Sequence, residues 1–126
     1  MKNVSFWFVF LGTLFALAGM GWGVQMSISQ DFLLAPAHAH NNLIGYVTMV
    51  IYGLYYGIVP AAGKTRLALV HFWIALIGAA TFGLGIALTL LQKGEVVVQI
   101  STLFVIAGMA IFAWTVWANR AALSRD

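Results

Sequence analysis

The stretch LALVHFWIALIGAATFGLGIALTLL, residues 67–91, decides the reading of this chain. It holds no charged residue, no proline and no polar–apolar alternation. About 20 helical residues cross a hydrocarbon core of roughly 30 Å, so the stretch is long enough to span a bilayer as one helix. A barrel strand would instead show about ten alternating residues between turns.

Outward from that stretch, charges occur only at Lys2, Asp31, Lys64, Arg66, Lys93, Glu95, Arg120, Arg125 and Asp126. They leave four uncharged stretches, and the spans are expected near residues 6–24, 36–59, 67–91 and 96–118. The chain is 63% hydrophobic and 7% charged, where soluble domains carry about 25% charge. Its mean hydropathy of +0.98 agrees that lipid is its solvent. The expectation is an all-α fold: one domain, 1–126, forming a four-transmembrane-helix up-down bundle with short connections.

Lys2, the pair Lys64 and Arg66, and the pair Arg120 and Arg125 place three segments in the cytoplasm, including both termini. Lys93 falls in an outer connection, where Glu95 offsets it. Trp7, Trp73, Trp114 and Trp117 fall near the inner interface and Trp22 near the outer one. The net charge of +3 follows from this bias and implies no nucleic-acid partner. The first span is too long for a signal peptide and lacks a small-residue cleavage pattern, so it is expected to stay as a helix.

The chain has no cysteine, which excludes disulfides, thiolate metal centres, iron–sulfur clusters and covalent haem attachment. Gly57–Thr65 resembles a phosphate-binding loop, but five residues separate the first glycine from Gly63-Lys64 where the motif has four. Lys64 is better understood as a topology determinant. Gly19 and Gly23, like Gly53 and Gly57, stand four apart, a spacing that serves either packing within the chain or contacts between copies.

Asp31 and Glu95 lie in outer loops, which leaves the three histidines as the remaining candidates at membrane depth. Two stand together in Ala37-His38-Ala39-His40-Asn41-Asn42, at the outer end of span two. Pro36 suits the first turn of a helix, where a missing N–H is no loss. Two residues of helix are about 200° of rotation, so the imidazoles of His38 and His40 point to nearly opposite sides. They cannot grip one small ion together; each serves its own flank, where a wide planar cofactor between helices fits better. Haem iron accepts an axial imidazole on each face, so the second ligand must come from another helix. His71 lies on the order of 20 Å away, near the inner surface, and is expected to be structural or interfacial. A second copy of the chain can supply the missing ligand, with His38 of one meeting His40 of the next. The competing reading is a pair of interfacial histidines bonded to loop carbonyls and water.

The run Pro36-Ala-His-Ala-His-Asn-Asn-Leu-Ile-Gly-Tyr-Val-Thr-Met-Val-Ile-Tyr-Gly-Leu-Tyr-Tyr56, with Pro60 and His71-Phe-Trp73 after it, resembles two consecutive helices of the catalytic subunit of haem-copper oxidases. The nitric oxide reductase and cbb3-type branches are the most similar. In that family a paired-histidine element serves two different haems, which implies that His38 and His40 are axial haem iron ligands facing separate pockets. The family's subunit has three four-helix arcs around a pseudo-threefold axis. One arc on its own implies a homotrimer holding a non-covalent haem b at each subunit interface. The chain has no further histidines for a copper centre and no intramembrane carboxylates, so copper is not expected.

The resemblance therefore implies a haem protein of the bacterial inner membrane, with haem near the periplasmic side, for electron transfer or redox sensing with an unidentified redox partner. Six-coordinate iron leaves no place for substrate, which argues against an enzyme. Asn41, Asn42 and Gln25 are candidates to orient the imidazoles. Tyr46, Phe32 and Trp22 either line the pocket or pack the bundle. The rivals are a membrane haem enzyme reducing O2 or NO, and a cofactor-free accessory or assembly subunit of an oxidase.

Overall fold

The computed structural model describes residues 3–124; Lys2 and Arg125, two of the topology determinants, lie outside the described residues. In chain order the helices are α1 (Val4–Ser29), α2 (Ala35–His40), a π-helical segment (Asn41–Thr48), α3 (Met49–Ile58), α4 (Pro60–Gly63), α5 (Arg66–Leu90) and α6 (Val96–Ala118), closed by a 3-10 turn at Arg120–Ala122. Of the described residues 86% are helical and none is in a strand. Three helices, α1, α5 and α6, are each long and apolar enough to cross a membrane.

The stretch expected as span two is a composite. Helical backbone angles at His40, Asn41, Thr48 and Met49 carry α2 through the π segment into α3 without a break. Its winding changes midway from the ordinary i→i+4 pattern to i→i+5.

Local chemistry sets the helix ends. Asn3 Oδ1 accepts the Phe6 N–H at 3.0 Å and starts α1, and Thr65 Oγ1 accepts the Ala68 N–H at 3.1 Å and starts α5. Gln30, left-handed at φ 55°, ends α1. That helix runs to Ser29, past the expected Val24, because falling hydropathy marks the edge of the membrane and not the end of the coil. Between α5 and α6 the chain turns tightly on two left-handed residues, Gln92 at φ 58° and Gly94 at φ 118°.

Small residues let the helices approach closely, the device that lipid-embedded helices use in place of a hydrophobic driving force. α5 and α6 meet most extensively. Gly85 lies where an added Cβ would stand 2.6 Å from the Val98 nitrogen, and Ser101 Oγ donates to Thr81 Oγ1 at 2.8 Å. The glycines spaced four apart face partners inside the chain: Gly19 meets Asn42, Gly23 meets His38, Gly53 meets Phe8 and Gly57 meets Ser5.

Phe8 of α1, Met49, Tyr52 and Tyr56 of α3, and His71 and Phe72 of α5 form the most deeply buried cluster, with Phe112 of α6 packed against it. It gathers the first two turns of α1 and α5 and one face along the length of α3. Outward-facing positions are bulky and apolar, with Leu17 63% and Leu103 67% exposed. Such a surface is suited to lipid and unsuited to water.

Candidate functional site

Pro36 sits in the first turn of α2, as its missing N–H allows, and starts the helix that carries both histidines. The His38 ring turns toward α1. It meets Trp22 edge-on at 6.0 Å between centroids, and it lies over Gly23, where an added Cβ would stand 3.5 Å from its Cε1. The His40 ring turns toward α5 and meets Phe82 edge-on at 5.5 Å. The two imidazoles thus leave one helix on different flanks, as two residues of helical rotation require.

Their nitrogens are set up differently. His40 Nδ1 lies 2.8 Å from the Pro36 carbonyl oxygen. A carbonyl only accepts, so Nδ1–H donates, and the lone pair of the neutral ring resides on Nε2. Metal-bound imidazoles have this arrangement, in which the bond at one nitrogen fixes the tautomer and raises the basicity of the other. His38 Nδ1 is buried without a hydrogen-bond partner. An orphaned buried nitrogen costs about 1–3 kcal/mol. Among the described residues no three or more His, Cys, Asp or Glu side chains converge on a single ion. The two diverging rings present one imidazole to each flank of the helix.

The π segment begins at the residue after His40 and presents its two asparagines to α1. Asn41 Nδ2 donates to the Phe15 carbonyl at 3.4 Å and to Asn42 Oδ1 at 3.5 Å. The Asn42 amide fills the space that a side chain on Gly19 would occupy. Neither amide bonds an imidazole, and Gln25 is exposed. Trp22 is half-buried against His38, whereas Tyr46 and Phe32 are exposed.

No family model, curated protein or solved structure matches the chain.

His71 stands apart from the pair. One turn into α5, it is fully buried, with its Nδ1 2.8 Å from the Tyr56 hydroxyl and its Nε2 unpartnered. Rings of Tyr52, Phe8 and Phe112 surround it at 4.4, 5.2 and 6.0 Å. It lies inside the bundle, and its pairing with Tyr56 is an addition to the structural or interfacial role expected of it. Both residues are visible in the sequence, but they lie on different helices, so only the fold brings them together.

Proposed function

We propose that this chain is a haem b-binding protein of the bacterial inner membrane, serving electron transfer or redox sensing. It crosses the bilayer four times as an up-down bundle with both termini in the cytoplasm, and three copies assemble like the three arcs of a haem-copper oxidase core. The observation that carries the reading is the splayed pair: His38 against α1 and His40 against α5, each with a ring nitrogen free of hydrogen bonds within the chain.

One imidazole per flank means that each chain offers one ligand to each of two clefts. In a closed ring all interfaces are alike, so His38 of one subunit faces His40 of the next. Haem bound there would supply one-electron chemistry at its iron. The chain's own residues do the rest. The Pro36 carbonyl holds the His40 ring through Nδ1 and leaves its Nε2 lone pair free, while the Trp22 and Phe82 edges pack against the His38 and His40 rings. Haem held by two imidazoles in this way would leave no open position for substrate.

The test is purification in mild detergent with full haem supply, haem counted per chain, and mass measured on the intact assembly. The expected result is a trimer with one haem per chain and a reduced spectrum unmoved by carbon monoxide. In His40→Ala the bis-imidazole spectrum should be lost. A spectrum that shifts with carbon monoxide or nitric oxide would point to the gas-reducing enzyme instead. A colourless protein would overturn the haem reading and leave the accessory-subunit reading standing.

A further inference from the structure

A π turn holds one more residue per hydrogen-bonded loop than an α turn, and each residue of helix register is about 100° of rotation. The direction in which His38 and His40 leave span two, relative to the Tyr52 and Tyr56 anchor at its other end, therefore depends on whether 41–48 is wound π or α. Eight consecutive π residues are an unusual length for a form that occurs mostly as single turns, so something outside the segment must hold it.

The contacts identify what holds it. The Asn42 amide is seated in the notch left by Gly19, and Asn41 Nδ2 is shared between the Phe15 carbonyl and Asn42 Oδ1. One turn further, Gly45 admits the Phe15 ring, which an added Cβ would meet at 2.6 Å. On the other side Gly83 of α5 admits Asn41, whose Cβ would lie 3.3 Å from a side chain there. Polar side chains at membrane depth bind where they can satisfy their amides, and here that place is the backbone of α1.

We infer that Asn41 and Asn42 are positioning residues of the histidine pair, acting through the winding of the π turn they seat against Gly19 and Phe15 rather than through bonds to the rings. The connection to haem rests on the function proposed above; the effect on the rings themselves does not.

The decisive measurement is nitrogen-15 NMR of histidine-labelled, haem-free protein in bilayers. The chain has only three histidines, and His71, in the opposite cluster, serves as an internal reference. Asn42→Leu should shift the ring resonances of His38 and His40 and leave those of His71 in place. Gly19→Ala, which collides with the Asn42 amide, should do the same. The double variant Gly19→Ala with Asn42→Ala restores the steric fit without the amide, so it should recover thermal stability while the His38 and His40 resonances stay displaced. Unmoved resonances in folded Asn42→Leu, or a double variant that restores both stability and resonances, would overturn the inference. In haem-loaded protein, Asn42→Leu should keep the haem count and change the low-spin ferric EPR signature; an unchanged signature would also overturn it. A colourless wild type defeats the haem reading alone, because the haem-free arm still decides the role of the asparagines.

Discussion

Replacing Tyr56 by Phe removes a single oxygen, and the structure says what that costs. Among the described residues the Tyr56 hydroxyl is the only side-chain hydrogen-bond partner of His71, and the two residues are 2% and 0% exposed. An average hydrogen bond between membrane helices contributes only about 0.6 kcal/mol, because the unfolded chain in lipid also finds partners. Here the loss strands an imidazole with no side-chain partner at either nitrogen, a penalty of about 1–3 kcal/mol. The expectation is therefore a loss of about 1–2 kcal/mol in Tyr56→Phe. His71→Leu strands the tyrosine hydroxyl in turn and also forfeits ring contacts with Tyr52 and Phe8. The double variant leaves neither group stranded, so it should be more stable than the sum of the single losses by about 1–2 kcal/mol, as for contacting pairs. Reversible unfolding in mixed detergent, followed by circular dichroism, measures all four corners of the cycle. A coupling below about 0.5 kcal/mol would refute the reasoning, since additive losses mean that the two groups do not satisfy each other.

Other changes have equally definite outcomes. Gly85→Ala puts a methyl group against the Val98 backbone and should cost about 1–3 kcal/mol in the same unfolding assay, because neither backbone can yield without parting α5 from α6. Gly21→Ala, with open space at the Cβ, should be neutral or more stable by up to about 1 kcal/mol from helix propensity alone. Thr65→Ala removes the cap on the Ala68 N–H and should lower stability by about 0.5–2 kcal/mol, visible as faster amide exchange in the first turn of α5.

Hydropathy and charge located helices closely. The stretch 96–118 coincides with α6, and 67–91 lies one residue from α5. The apolar stretches of these two helices run nearly to their ends and are bounded by charged or turn-forming residues, so edge of apolar stretch and edge of helix nearly coincide. At α1 the two separate: Gln25, Ser27 and Ser29 are polar enough to leave the bilayer yet remain in the helix. The divergence of His38 and His40 followed from rotation per residue, a local property. The π winding after His40 was not legible, because it depends on Asn42 meeting Gly19 from a different helix. The same holds for His71, whose partner Tyr56 lies 15 residues away on another helix.

The chain places its close-approach glycines inward, each against a residue of its own fold. What remains on its exterior is a relief of broad hydrocarbon shoulders such as Leu17, Met20 and Leu103. Shoulders of this kind dock on a neighbouring protein or on acyl tails with similar ease, since lipid is as apolar as leucine. Cohesion in the proposed trimer should accordingly follow the thickness and fluidity of the surrounding bilayer, making the lipid environment itself a control on how many chains stand together.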